Sequence, residues 1–260
     1  MPLREVLYEV KGTTGWVTLN RPEARNALTF AMYDRLAEIC ASVPDDGSVK
    51  AIIITGAGEK AFAAGTDMTQ FRGFSKPQDA LDYEHHMDRV FGAIEACPAP
   101  TIAAIAGACT GGGAGIAAAC DLRIASADLK FGFPIARTLG NTLSIANLSR
   151  LAALIGAGRV KDVIFTARLV GGEEAAAIGL VSEILPDHAA LMARAGALAD
   201  QLAGHAPLTL STTKEALRRL RVTGAESDDR DLILKAYMSE DFKEGMEAFL
   251  GKRKPVWKGR

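Results

Sequence analysis

Two glycine-containing segments constrain the fold of this chain more than any other feature. Residues 51–67 read AIIITGAGEKAFAAGTD, and residues 102–121 read IAAIAGACTGGGAGIAAACD. Each begins as a run of apolar and β-branched residues and continues into a Gly/Ala turn that opens a helix, which predicts buried parallel strands in an α/β fold. Two such turns can each aim a backbone N–H at the same point. Paired N–H donors of this kind suit an oxyanion.

The rest of the chain alternates between strand and helix patterns up to about residue 145, after which helical patterns dominate. We therefore predict an α/β core of repeated β–β–α turns followed by a helical C-terminal region. The patterns predict a hairpin at 3–19, helices at 29–43 and 83–94, and strands at 49–55, 101–106, 122–126 and 180–185.

Composition is that of an ordinary globular protein, with 260 residues, 48% hydrophobic residues and a formal charge of −1. This charge gives no reason to expect nucleic acid or an anionic membrane as a partner. Residues 102–120 carry no charge, but their five glycines favour a buried strand, turn and helix over a membrane span. The first ten residues lack a signal-peptide pattern, which predicts a cytoplasmic protein.

The cysteines and one glycine turn suggest alternative kinds of site, and neither is favoured. Cys40, Cys97, Cys109 and Cys120 have no CxxC spacing, so we expect buried thiols rather than disulfides or metal ligands. The turn GAGEKA at 56–61 imitates a dinucleotide fingerprint, but no second strand ends in an acidic residue at the required distance. We therefore expect that NAD(H) does not bind.

Five segments, in the right order, resemble the enoyl-CoA hydratase/isomerase (crotonase) family. They are NRPEARNAL at 20–28, FAAGTD at 62–67, the triple-glycine segment at 107–121, EEAAAIGLVSE at 173–183, and the C-terminal helix at 239–255. The resemblance implies a crotonase-like spiral core at 1–195 and a helical oligomerisation region at 196–260. It also implies a homo-oligomer, either a trimer or a dimer of trimers, that acts on acyl-CoA thioesters.

By the same resemblance, the backbone N–H groups of Thr66 and Gly112 form the oxyanion hole. Coenzyme A enters as part of the substrate, and the resemblance implies no permanently bound cofactor and no metal. Asp67 is expected to bond to its own loop. The residues implied in coenzyme A binding are Arg25, Ala63, Ala64 and Asp67.

The chain departs from the family at the two glutamates that hydratases of the family use. Counting along the sequence places the first position at Gly115 and the second at Ile135 or Ala136. None of these side chains can accept a proton, so the resemblance does not supply the usual acid–base pair.

Other polar residues are candidates for proton transfer or for positioning water. In the predicted helix at 83–94, Glu84 and His86 flank an apolar face, and Asn141 lies near the second missing glutamate. The apolar face of this helix comprises Tyr83, Met87, Val90, Phe91 and Ile94.

Three interpretations of the function stay open. The chain is a hydratase or isomerase that acts through a thioester enolate, an enzyme of another reaction such as thioester hydrolysis or decarboxylation, or an acyl-CoA-binding protein without catalysis.

Overall fold

A computed structural model describes residues 5–260. Residues 1–4 lie outside the described part, and with them the start of the predicted hairpin and the first four of the ten residues that lack a signal-peptide pattern. The strands are β1 Val6–Lys11, β2 Thr14–Leu19, β3 Ala51–Gly56, β4 Ala61–Ala63, β5 Thr101–Ile105, β6 Ala108–Thr110, β7 Leu122–Ser126, β8 Lys130–Gly132, β9 Val170–Gly171 and β10 Glu183–Leu185.

Helices dominate the chain after about residue 145, as the sequence patterns predict. They are α1 Phe30–Ala41, α2 Pro77–Glu95, α3 Gly112–Ala119, α4 Ile135–Thr138, α5 Ile145–Ile155, α6 Ala157–Thr166, α7 Gly172–Ala177, α8 His188–Ala203, α9 Pro207–Thr223, α10 Arg230–Tyr237 and α11 Glu240–Leu250. Short 3-10 turns occur at Pro22–Ala24 and Met68–Gly73.

The strands form two sheets that the chain visits alternately. One sheet has the order β1-β2-β3-β5-β7-β10, and the other has the order β4-β6-β8-β9. The pairs β3–β4, β5–β6 and β7–β8 each place one strand in each sheet, and neighbours such as β3 and β5 run parallel. This arrangement confirms the α/β spiral of repeated β–β–α units with a helical C-terminal region.

The central strand β3 is buried on both faces, because alternate side chains point into two different apolar clusters. Ile52 and Ile54 pack in the cluster that contains α1, α2 and α3, whereas Ile53 packs in a second cluster with Leu191 and Ala195 of α8. The boundary expected between residues 195 and 196 falls within α8.

Several local predictions are confirmed, and one strand is shorter than expected. Residues 102–120 form β5, β6 and α3, and no helix among residues 5–260 is long and apolar enough to cross a membrane. The turn at 56–61 leads into β4 instead of a helix, unlike a dinucleotide-binding turn. The predicted strand 180–185 is reduced to β10, because the N–H groups of Leu180 and Val181 donate to the carbonyl oxygen of Ala175 in the preceding turn. All four cysteines are free and buried.

Candidate active site

The two glycine turns found in the sequence contact each other. Gly65 and Gly111 have φ values of +108° and +53°, a region that side chains with a β-carbon rarely adopt. A β-carbon on Gly111 would lie 3.5 Å from Gly65 Cα, and one on Gly65 would lie 3.4 Å from the carbonyl oxygen of Thr110. This close approach places the next two residues, Thr66 and Gly112, side by side.

Gly112 is the first residue of α3, so its N–H group belongs to the positive end of the helix. The helix also lies close to β4, because a β-carbon on Gly113 would be 2.8 Å from Ala63 Cβ. The run of glycines therefore permits a close approach of helix and strand, and it directs the helix start toward the first loop.

The segment at 20–28 holds the first loop, residues 61–67, by side-chain hydrogen bonds. Asn26 is fully buried and donates from Nδ2 to the carbonyl oxygen of Ala61 over 2.8 Å. Arg21 Nη1 donates to Asp67 Oδ2 over 2.9 Å, and Asp67 Oδ1 accepts from the backbone N–H of Thr69. Hydrogen bonds from Thr69 and then Arg21 hold the pKa of Asp67 below its usual range. Asp67 therefore fixes its own loop in the ionised form.

A cavity of about 330 Å³ opens beside these loops. It lies between α2, the start of α3 and the segment 133–147, and its volume falls at the lower end of the range for small-ligand sites. Most of the side-chain wall is apolar. Its larger apolar side chains are those of Met68, Phe71, Met87, Phe91, Phe133, Ile135, Leu139 and Leu143.

Three hydroxyl groups form a chain at one end of this cavity. The Thr66 Oγ1 atom lies 2.8 Å from Tyr33 Oη and 3.1 Å from Tyr83 Oη. Tyr33 is fully buried under α3, whereas Tyr83 is half-buried and lines the cavity. Sequence analysis missed both tyrosines as site residues, because each also fits the apolar face of its helix.

Glu84 is the one carboxylate among the described residues that line the cavity. Its Oε2 atom accepts from the backbone N–H of Ser144 over 3.1 Å, and the Ser144 hydroxyl donates to Asp88 over 2.6 Å. Burial is the main cause that raises the pKa of Glu84, and the charge of Asp88 adds to it, while the Ser144 bond opposes it. A carboxyl group whose pKa is raised by burial in a cavity is a candidate for proton transfer.

The other two polar candidates have different surroundings. His86 does not line the cavity, because its Nε2 atom pairs with Asp34 Oδ1 at 2.6 Å and its ring packs against Phe30. Asn141 reaches the cavity but is exposed at its rim. Asn147 is a further lining residue; it is buried, and its Oδ1 atom accepts from Arg150 Nη1 over 3.0 Å.

Gly115 and Ile135, two of the positions inferred for the missing glutamates, both line the cavity. A β-carbon on Gly115 would lie 2.6 Å from the ring of Phe91, so Phe91 occupies the space that a side chain at 115 would need. Ile135 is buried, whereas Ala136 is exposed and outside the lining. The described cavity therefore has no acidic side chain at either lining position.

The residues implied in coenzyme A binding lie along the first loop. The Arg25 side chain is exposed, and its carbonyl oxygen accepts from the Ala64 N–H over 3.0 Å. Ala64 lines the cavity, while Ala63 is buried in β4 and Asp67 is partly exposed. The hydrogen bond between Ala64 and Arg25 thus joins a residue of the cavity lining to an exposed arginine, whereas the Ala63 side chain does not reach the surface.

Comparisons with known proteins identify the family and the fold of this chain. The family model described as enoyl-CoA hydratase/isomerase matches residues 9–260. A short-chain-enoyl-CoA hydratase of Clostridium acetobutylicum is 34% identical over 98% of this chain and 97% of that protein. A crotonyl-CoA hydratase of Syntrophomonas wolfei is 33% identical over 98% of both chains. The crystal structure of an enoyl-CoA hydratase/carnithine racemase from Magnetospirillum magneticum matches with a TM-score of 0.89 and 33% identity, covering 98% of this chain and 96% of that one.

The α/β spiral is thus the crotonase fold. The chain belongs to the enoyl-CoA hydratase/isomerase family, whose members are lyases and isomerases, and it is an acyl-CoA enzyme. The resemblance inferred from the five sequence segments is confirmed.

Proposed function

We propose that this enzyme binds a coenzyme A thioester with its acyl group in the cavity and stabilises the thioester enolate with the N–H groups of Thr66 and Gly112. The observation that carries the proposal is the contact between Gly65 and Gly111, which brings the two donors to the same end of an apolar cavity. Preorganised donors at the point where negative charge develops are the largest single contribution in many enzymes of this kind. Coenzyme A enters with the substrate and leaves with the product.

The coenzyme A moiety is proposed to bind along Arg25, Ala63, Ala64 and Asp67. Main-chain groups at 63–67 would contact the base, and the exposed Arg25 guanidinium would pair with a phosphate. The support for this placement is the hydrogen bond that joins Arg25 to Ala64, a residue of the cavity lining.

The acid–base group is proposed to be Glu84. The usual pair of glutamates is absent from Gly115 and Ile135, and Glu84 is the carboxylate that the described lining offers instead. A proton-transfer group of this type contributes roughly 10²–10⁴-fold to a rate. Glu84 reaches the cavity from α2 rather than from α3 or α4, which favours a reaction other than ordinary two-glutamate hydration, such as thioester hydrolysis or decarboxylation. Binding without catalysis is the alternative function.

The proposal also includes a homo-oligomer, a trimer or a dimer of trimers, with contacts from residues 196–260. Its support is an apolar stripe on α11 that consists of Phe242, Met246, Phe249 and Leu250. All four side chains are exposed, Phe249 to 84% and Leu250 to 70%. Large exposed apolar patches on a folded chain mark association surfaces.

Two substitutions at one position test the oxyanion site. Both Thr66→Val and Thr66→Pro remove the hydroxyl group, but only proline also removes the N–H. Turnover of a panel of enoyl-, β-keto- and aryl-CoA thioesters, followed by mass spectrometry, first identifies the reaction. On the best substrate, Thr66→Pro should be roughly 10²–10³-fold slower than Thr66→Val, the usual effect of one oxyanion donor.

Circular dichroism and retained binding of butyryl-CoA establish that the proline variant is folded. Equal rates for the two folded variants would remove Thr66 N–H from the mechanism. If the wild-type protein binds the thioesters but converts none of them, the non-catalytic alternative replaces the proposal.

A further inference from the structure

The hydroxyl chain Tyr33–Thr66–Tyr83 has three hydrogens for two hydrogen bonds, so one hydrogen is left over. The Tyr33 side chain is fully buried, and among residues 5–260 its Oη atom has no hydrogen-bond partner other than Thr66 Oγ1. If Thr66 donated to Tyr33, the Tyr33 hydrogen would be buried without an acceptor, which is costly. Tyr33 therefore donates to Thr66. The hydrogen left over belongs to Tyr83 if Thr66 donates to Tyr83, and to Thr66 if Thr66 accepts from both phenols.

When Thr66 donates to Tyr83, the hydrogen left over is that of Tyr83. Tyr83 Oη makes no hydrogen bond other than the one to Thr66 within the described part of the chain. Burial is the main cause that raises the pKa of Tyr83, and the charge of Glu84 also raises it, so the phenol stays protonated at neutral pH. Since Tyr83 lines the cavity, its hydrogen faces the space proposed for the acyl group.

The position of the Tyr83 ring is fixed by its aromatic neighbours. Its centroid lies 4.9 Å from that of Phe71 and 5.9 Å from that of Phe30. Packing on two sides restricts the rotation of the side chain, so the hydroxyl stays beside Thr66. Thr66 also carries one of the two proposed oxyanion donors. The Tyr83 hydroxyl is therefore bonded to the side chain of a residue whose N–H is proposed to hold the thioester oxygen.

We propose that Thr66 donates to Tyr83, that Tyr83 is thereby a third hydrogen-bond donor of the site, and that it selects acyl groups with an oxygen acceptor close to the thioester. The proposal rests on the proposed function, because it requires an acyl-CoA in the cavity. A simple alkyl thioester leaves the Tyr83 hydrogen unpaired, whereas a β-keto thioester pairs with it. Sites built around a buried donor discriminate against ligands that lack the matching acceptor.

Two ligands that differ at one carbon test this selectivity. Calorimetric titration with acetoacetyl-CoA and butyryl-CoA compares a β-keto group with a methylene in otherwise similar chains. We expect Tyr83→Phe to reduce the preference for acetoacetyl-CoA by roughly 2- to 12-fold, the effect of one neutral hydrogen bond. The affinity for butyryl-CoA should be unchanged. Tyr8→Phe removes the same hydroxyl from a residue outside the cavity and should leave both affinities unchanged.

Tyr33→Phe tests the orientation of the chain. Tyr33 occupies one of the two acceptor positions of the Thr66 oxygen. Without Tyr33, Thr66 accepts from Tyr83 more readily, which withdraws the hydrogen from the cavity, so this variant should lose part of the same preference. A purely structural role of Tyr33 would weaken both ligands equally. If folded Tyr83→Phe keeps the wild-type ratio, the third donor is refuted while the proposed function stands. If neither thioester binds to the wild-type protein, the proposed function fails and this inference fails with it.

Discussion

The hydroxyl group of Tyr33 occupies the space where a β-carbon of residue 112 would lie. Gly112 therefore has two reasons to be glycine: it begins α3 at the contact between the two loops, and it leaves room for a buried phenol. That phenol is bonded to Thr66, which is the residue opposite Gly112 in the proposed oxyanion hole. The main-chain donors and the hydroxyl chain are thus parts of one packed unit.

A double-mutant cycle measures the bond between Tyr33 and Thr66. Thr66→Val should lower the free energy of unfolding by about 1–3 kcal/mol, because it leaves the buried Tyr33 hydroxyl without a partner. Adding Tyr33→Phe should recover part of this loss, since two apolar partners leave no unsatisfied group. Urea unfolding followed by circular dichroism gives the four free energies. Strictly additive losses would mean that the two hydroxyl groups do not interact.

Gly115→Ala tests the contact that excludes a side chain from the first glutamate position. The new β-carbon would overlap Phe91, so we expect a loss of about 1–3 kcal/mol in the free energy of unfolding. Gly92→Ala is the matched control, because Gly92 lies inside α2 and a β-carbon added there would have no neighbouring atom within 4 Å. That variant should gain about 0.5–1 kcal/mol from helix propensity. A neutral Gly115→Ala would show that the space is open.

The glycine loops can be predicted from sequence, but the tyrosines cannot. A strand running into Gly65-Thr66 or Gly111-Gly112 is a local pattern, so its turn and its exposed N–H follow from neighbouring residues. Tyr33 and Tyr83 instead meet Thr66 from two separate helices, and each matches the apolar period of its helix. Only the packing of α1 against α2 and α3 shows that both hydroxyl groups point to the same threonine.

Helical periodicity is also insufficient to separate Glu84 from His86. Both residues flank the apolar face of α2, one on each side. The sequence does not show that α1 covers one flank, where Asp34 pairs with His86, while the other flank borders the cavity.

The repeated β–β–α order is predictable because buried strands such as β3 are short, continuous apolar runs.

Hydration of crotonyl-CoA by the wild-type protein should be weak or absent compared with a two-glutamate hydratase. The lining positions 115 and 135 provide no acid–base group, and such groups contribute roughly 10²–10⁴-fold each. Absorbance of the enoyl thioester measures the rate. Glu84→Gln should reduce any activity on the best substrate of the panel by a factor in the same range, whereas His86→Gln should not. Robust hydration that survives Glu84→Gln would contradict the assignment.

The pH dependence of Glu84 follows from its environment. Burial raises the pKa of this carboxyl above its ordinary 4.5, so the folded protein holds the proton to higher pH than the unfolded chain does. Its contribution to stability is present below the unfolded pKa and is lost as pH rises through the folded pKa. Glu84→Gln should therefore stabilise the protein more at pH 7 than at pH 4 in thermal unfolding. An equal effect at both pH values would mean that the pKa is not raised.

The exposed stripe on α11 should hold the oligomer together. Phe249→Asp places a charge among Phe242, Met246 and Leu250, so light scattering should show a shift from a trimer or hexamer toward monomer. Glu247→Gln changes a nearby exposed position of the same helix and should leave the oligomer intact. A monomeric wild-type protein across a range of concentrations would refute the proposed assembly.

A crystal structure with bound butyryl-CoA tests the central claim most directly. We expect the thioester oxygen within about 2.7–3.2 Å of both the Thr66 and Gly112 nitrogen atoms, with the acyl chain in the apolar cavity beside Glu84. The adenine moiety should lie along residues 63–67. A thioester oxygen bonded elsewhere, with those two N–H groups facing solvent or another part of the ligand, would contradict the account.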